Sequence, residues 1–194
     1  SGFFTLWTLP GDNWIKPGEE RKITNLLIHK VENNNFEIVL KICDFAPNQG
    51  YSQQIGLFLL DENHNLATCI RQSFLFTPTE TEKYRVLNVE LLKFENGELV
   101  FFTYKHFSEL STESKEMFKK MIIRIVLNNN RVHSDSKFGG EWNLWHKAPD
   151  STRINFKVAY VGIAAFQGWT LNDGTPKNAD TIPAKLDYLK IIYH

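Results

Sequence analysis

Short apolar runs alternate with clusters of turn-forming residues along this chain, a pattern that predicts strands rather than helices. Phe36–Ile42 reads as a strand opened by Asn33-Asn34-Asn35 and closed near Pro47. Gln54–Leu60 (QIGLFLL) is a continuous apolar run, and the turn Asp61–Asn65 leads back into Leu66–Phe76 (LATCIRQSFLF) as a hairpin. Tyr84–Phe94 and Glu98–Phe107 flank Glu95-Asn96-Gly97, where Asn-Gly is a strong hairpin signal. Met121–Leu127, Arg131–Ser136, Glu141–His146, Ile154–Phe166 and Ala184–Tyr193 supply the remaining strands. Only Ser111–Lys120 looks helical. Ser111 or Thr112 can cap it, Glu113 suits its positive end and Lys119-Lys120 its negative end. Met117, Phe118 and Met121 would give that helix one short apolar face.

Roughly ten strands with one short helix predict an all-β sandwich or barrel, occupying 1–194 as one domain. Composition agrees. Aromatics make up 13% of the 194 residues, and asparagines cluster where antiparallel strands would turn. The 22 basic and 22 acidic side chains cancel. With no basic surplus to neutralise phosphates, a duplex nucleic-acid partner is not expected. No run of 18 apolar residues exists, so no membrane span is expected. Cys43 and Cys69 match no zinc spacing and sit in apolar strands, which predicts buried free thiols. The chain begins Ser1-Gly2 and reads as a processed form, from which any secretion signal would have been removed.

Four segments, taken in order, resemble a known family. Asn25-Leu26-Leu27-Ile28 through Phe36–Ile42 is similar to its opening hairpin, and Tyr51–Asn63 (YSQQIGLFLLDEN) to its "Gln-x-Gly-Leu-x-Leu … Asp-x-Asn" strand and turn. Val132-His133-Ser134-Asp135 to Trp142-Asn143-Leu144 resembles its "Tyr-Ser-x-Asp-Gly-x-x-Trp" hairpin. Tyr160–Ala165 (YVGIAA) followed by Ile182–Ile191 (IPAKLDYLKI) resembles its closing "Val-Gly-x-x-Ala … Ala-x-Phe-Asp-Tyr-Phe" signature. The family is the concanavalin A-like lectin/glucanase sandwich of the C-terminal domains of family-43 β-xylosidases and of DUF1349-type proteins. Leu186 stands where that signature has Phe, and 105–121 looks like an inserted helical segment. The resemblance implies a jelly-roll β-sandwich of two antiparallel sheets that binds carbohydrate or assists a glycan-degrading enzyme. It also implies a secreted, periplasmic or cell-surface location. Fold does not fix function.

The chain carries no Gly-x-Ser-x-Gly elbow, no His-Glu-x-x-His and no phosphate loop. The Glu-x-Asp pair of sandwich glucanases is also absent. Glu90, Glu98 and Glu141 lie in or beside strands and read as solvated acids. The alternative is a glycoside hydrolase or polysaccharide lyase with its site in the sandwich groove. Sugar binding calls for flat aromatics with planar polar groups alongside. Trp169, in a loop rich in Gly, Asn and Asp, is a candidate platform, or else it covers the sandwich edge. Trp142 and Trp145 take opposite faces of one strand, Trp142 filling the family's hairpin position in the core, which leaves Trp145, with Gln54, among the ligand-binding candidates.

Arg71, Arg124 and Gln54 interrupt apolar strands and must face solvent, a partner or a groove. With Tyr104, the two arginines are groove candidates. The alternative for each is an Arg on an open sheet face, paired to a carboxylate. By the family resemblance, Asp187 of the closing strand is the candidate ligand for a structural calcium, or it caps a turn instead. The six His (29, 64, 106, 133, 146, 194) show no ligand-like pairing.

Overall fold

The structure is a computed structural model that describes residues 2–14, 22–47, 52–78, 85–107, 120–138, 144–168 and 180–194. Two antiparallel sheets account for the strands described. The first orders β1 (Phe4–Trp7), β13 (Pro183–Tyr193), β3 (Phe36–Asp44), β8 (Met121–Asn128), β9 (Arg131–Phe138) and β10 (His146–Lys147), with β11 (Thr152–Arg153) also paired to β9. We call it sheet A. Sheet B orders β2 (Leu27–Lys30), β12 (Tyr160–Phe166), β4 (Gln54–Leu60), β5 (Cys69–Pro78), β6 (Arg85–Glu95) and β7 (Glu98–Phe107). This is the expected all-β concanavalin A-like jelly-roll sandwich. The helix expected at Ser111–Lys120 lies outside the described residues except for Lys120, and no helix occurs among those described.

Turn chemistry sets the registers. Asn129 and Asn130 both take positive φ (49° and 60°) between the paired ends Asn128 and Arg131. Asn96 and Gly97 do the same (51° and 88°) between Glu95 and Glu98. Two consecutive left-handed residues make a type I′ turn, whose twist matches the flanking strands. Asp61 Oδ1 accepts the N–H groups of Asn63 and Asn65, closing the turn between β4 and β5.

The main core lies between the sheets. Phe36, Ile38, Leu40 and Ile42 alternate inward on β3, and Ile123, Ile125 and Leu127 do so on β8. They meet Ile55, Leu57 and Leu59 of β4 with Ile70, Phe74, Val89 and Leu91. Gln72 also points inward. Its Nε2 donates across the sandwich to Ser134 Oγ and to the Arg124 carbonyl (3.2 Å), a polar strut between the layers. Sheet B is unusual in burying its second face too: Phe58, Leu60, Cys69, Leu92, Phe94, Ala164 and Phe166 form a separate apolar cluster there. All seven residues of β4 are therefore buried, which explains its unbroken apolar run.

Boundaries differ from the sequence reading at several places, among them Glu141–His146, where the strand described is β10 at His146–Lys147 and 141–143 lie outside the described residues. The strand expected at Ile154–Phe166 begins only at Tyr160, and 154–159 is a link from β11 of sheet A to β12 of sheet B that buries Ile154 and Val158 in the core. Phe4–Trp7 forms an additional edge strand against Pro183–Leu186. Beyond Leu186 that side of β13 meets no strand among the described residues. No helix among them is long and apolar enough to cross a membrane.

Leu57 is fully buried at the centre of this core. Leu57→Ala is expected to lower stability by about 2–5 kcal/mol in urea unfolding, through lost transfer energy and the cavity left behind.

Candidate functional site

Antiparallel register puts directly opposite residues on the same face, so the second face of sheet B can be read as rows across its strands. One row runs Ala164–Gly56–Ser73–Glu90–Tyr104. The next runs Gly162–Phe58–Arg71–Leu92–Phe102, and a third places Phe166 beside Gln54, Leu75 and Asn88. A polar strip of Gln54, Ser73, Asn88 and Glu90 thus lies next to the apolar cluster. All four are buried, and Asn88 Nδ2 donates to Glu90 Oε1 at 3.3 Å. Gln54 Nε2 donates to the Ser52 carbonyl, while Gln54 Oε1 and Ser73 Oγ have no hydrogen-bond partner among the described residues. Buried polar atoms in that condition are uncommon and mark places where a further group can bind.

Along β7 the same face carries exposed aromatics. Trp14, Phe102 and Tyr104 are 45%, 41% and 40% exposed. Ring centroids are 6.4 Å apart for Trp14 and Phe102 and 5.3 Å for Phe102 and Tyr104, with tilts of 49° and 41°. The three rings form one continuous strip beside Glu90, which is 6% exposed.

Arg71 lies under this face. It is only 1% exposed, and its Nη1 donates to Asp12 Oδ1 at 2.6 Å and to Asn13 Oδ1. The guanidinium carbon sits 5.5 Å from the Phe94 ring and 5.4 Å from that of Phe166. Arg71 therefore anchors the 11–14 turn onto the sheet and lines no open groove. Asn13 continues the anchor, its Nδ2 donating to the Leu66 carbonyl and to Cys69 Sγ at 3.4 Å. Burial pushes the Cys69 thiol up to about 12.

Arg124 belongs elsewhere. It sits on the outer face of sheet A, where its Nη1 donates to Glu37 Oε2 at 3.0 Å and its Nε and Nη2 reach Asp135 Oδ2. Trp145, half-buried, lies beneath it, with the Arg124 guanidinium carbon 3.8 Å and the Lys137 ammonium 4.4 Å from the ring centroid. The two groove arginines thus stand on opposite faces of the molecule, and Arg124 matches the alternative of an arginine paired to carboxylates. Burial drives the Asp135 carboxyl up, but His133, with its Nε2 3.6 Å away, and Arg124 outweigh it and hold the carboxyl below its ordinary value.

The calcium expectation meets a misfit. Asp187 is the extra residue of a bulge in β13, and its Oδ2 takes the Lys41 ammonium at 2.8 Å. It stands at the rim of a mostly apolar cavity of about 280 Å³ between β2 and β13, lined by Leu40, Val161, Ile163 and Leu186. A hard cation needs six to eight oxygens, and one exposed carboxylate whose Oδ2 is already paired with lysine does not supply them. Among the described residues no three His, Cys, Asp or Glu gather as a metal-holding group.

Trp169 and Trp142 lie outside the described residues. Of the other sequence candidates, Tyr104 and Gln54 share the sheet B face with Arg71, whereas Trp145 and Arg124 share the other side. Sequence reasoning missed Trp14, Phe102 and the Asp12-Asn13 turn. The alternation of Phe102 and Tyr104 with Phe101 and Thr103 was a usable signal for the strip, but nothing local paired Asp12 with a residue 59 positions away.

No family model matches the chain, and no curated protein matches it. Solved structures do. The GH43 protein BlXynB from Bacillus licheniformis matches 99% of this chain at TM-score 0.69 and 15% identity, the chain spanning 33% of that protein. A legume lectin-like domain from Entamoeba histolytica matches 98% of the chain at TM-score 0.57 and 14% identity, with 90% of its own length covered. A family 16 endo-glucanase from Bacteroides ovatus matches 98% at TM-score 0.51 and 10% identity, with 80% of it covered. The fold is a concanavalin A-like β-sandwich, shared with lectin-like domains and with glycoside hydrolase structures.

Three outcomes follow from this geometry. Arg71→Ala leaves Asp12 buried without its cation and is expected to cost about 3–5 kcal/mol in urea unfolding. Cys69 stays a protonated thiol at pH 8, so iodoacetamide is expected to leave it unmodified in the folded protein and to alkylate it in urea, read by peptide mass spectrometry. Because the folded Asp135 carboxyl lies below its ordinary 3.8, its stabilising effect is complete above that value and is lost as pH falls through the lower folded one. Asp135→Asn is therefore expected to flatten the acid limb of a stability-versus-pH curve.

Proposed function

We propose that this chain is a non-catalytic carbohydrate-binding or accessory domain that acts beside glycan-degrading enzymes, and that it takes its ligand on the Trp14–Phe102–Tyr104 side of sheet B. The observation that carries this reading is the aromatic strip. Three exposed rings in series offer flat apolar surface to the faces of pyranose rings, and exposed contiguous aromatics mark binding sites more often than they mark bare surface. The polar strip of Gln54, Ser73, Asn88 and Glu90 lies beside them on the same face of sheet B. Trp169 remains a candidate second platform. It follows Gly168, whose N–H donates to the Gly11 carbonyl at 3.0 Å beside the Asp12 turn.

Glycoside hydrolysis needs two carboxylates about 5–10 Å apart across the scissile bond. Among the described residues, the rows on this face bring up Glu90, and the nearby Asp12 is committed to Arg71. That favours binding over hydrolysis. A lectin or accessory role agrees with the lectin-like and GH43 fold neighbours, and implies action outside the cell or at its surface.

Soluble xylan and mixed-linkage β-glucan, with a wider polysaccharide array, test the proposal by affinity electrophoresis. Retardation of the wild-type chain is expected on at least one of them, with Phe102→Ala weakening it about tenfold. No retardation on any polysaccharide would sink it. Release of reducing ends, abolished by Glu90→Gln, would instead establish the hydrolase alternative.

A further inference from the structure

The geometry points to Arg71 as the positioning residue of the aromatic strip: through Asp12 it fixes the backbone that carries Trp14. This inference rests on the carbohydrate reading of that strip and says what holds the strip together.

The outer cluster of sheet B could be covered by apolar packing alone. Position 71 lies between the Phe94 and Phe166 rings, in the kind of apolar surroundings that ordinarily take a methionine or leucine. A buried ion pair adds little stability over such a residue, because desolvation offsets most of its attraction. What it adds is direction. Asp12 Oδ1 is held by Arg71 at 2.6 Å and, in the same place, accepts the backbone N–H groups of Asn13 at 2.7 Å and Trp14 at 3.0 Å. The carboxylate therefore fixes the peptide unit from which the Trp14 side chain departs, on a base that cannot rotate because Arg71 is buried.

The turn is gripped on its other side as well. Gly11 has φ +142°, and a Cβ there would meet the Lys22 carbonyl oxygen at 2.1 Å, so only glycine passes. Asp12 O also accepts the Lys22 N–H at 3.2 Å. With Asn13 tied to Leu66 and Cys69, three successive residues are held before the chain reaches Trp14. Its ring, 6.4 Å from Phe102, extends the strip to a third aromatic.

The test separates positioning from mere structure. In protein labelled with 5-fluorotryptophan, the Trp14 fluorine resonance is assigned by its loss in Trp14→Phe. In the double variant Arg71→Met/Asp12→Asn, which removes both charges together, this resonance is expected to move to the random-coil position while the other tryptophan lines stay in place. Arg71→Lys, which keeps the charge, is expected to return it. Arg71→Gln/Asp12→Asn, also neutral and able to hydrogen-bond, serves if the first double variant does not fold. On the xylan or β-glucan that the wild type binds, the double variant is expected to lose about the same tenfold as Trp14→Ala, and adding Trp14→Ala to it should cost nothing more.

An unmoved Trp14 resonance in a folded double variant would overturn the inference. A moved resonance with unchanged polysaccharide affinity would overturn the role in binding. If the wild type binds no polysaccharide, the carbohydrate reading fails, and the fluorine result still decides whether Arg71 positions Trp14.

Discussion

Everything distinctive about this molecule depends on one constraint: sheet B is apolar on both faces. An ordinary antiparallel sandwich turns one face of each sheet to the core and leaves the other to water. Here Phe58, Leu92, Phe94 and Phe166 on the second face cannot be left wet, since each exposed side chain of that size forgoes roughly 1.5–3 kcal/mol. A cover is therefore obligatory. The 11–14 turn supplies part of it, and because Arg71 emerges in the middle of that face, the cover must also bring a carboxylate. Asp12 answers both requirements.

Sheet A solves the opposite problem. Its outer face is polar, and its charges are arranged around Arg124, which draws Glu37 and Asp135 together over the Trp145 ring. Asp135 is buried, Arg124 and Glu37 are partly solvated, and their opposite charges compensate one another. The two sides of the sandwich thus differ in kind: one is a charge-balanced surface, the other an apolar face with a polar strip and a rim of aromatic rings. A neutral, hydroxyl-rich ligand with apolar faces complements the second and has little to gain from the first.

Much of the fold was legible in the sequence because antiparallel structure is written locally. The unbroken QIGLFLL run, the Asn-Gly and Asn-Asn pairs and the alternation of β3 and β8 each contain their own instruction. The site was less legible, because it depends on which face a residue takes and on what lies across it. Gln54, Arg71 and Tyr104 could be singled out as polar or aromatic interruptions, and the structure does gather them on one face. Arg124 interrupted its strand in the same manner yet belongs to the other sheet. Only the pairing order distinguishes the two arginines, and pairing order is a long-range property. Trp14 was invisible for the same reason, since its importance comes from Phe102, 88 positions later by the numbering of the chain. The calcium expectation came from resemblance alone and met a lysine at Asp187.

The edge of sheet A has a consequence for how the protein can fail. Among the described residues β1 covers β13 only as far as Leu186, and the next stretch, Tyr188-Leu189-Lys190-Ile191-Ile192-Tyr193, offers a strand edge with one charge in it. Such an edge templates pairing between copies of a chain. Lys190 is the one charge within the stretch, its ammonium resting 4.4 Å from the Tyr188 ring centroid. It acts as a gatekeeper: a like-charged pair would have to be buried or brought face to face before two such edges could zip together. Within this stretch the brake on edge-to-edge pairing is therefore a single ammonium group, on the side of the sandwich away from Trp14, Phe102 and Tyr104.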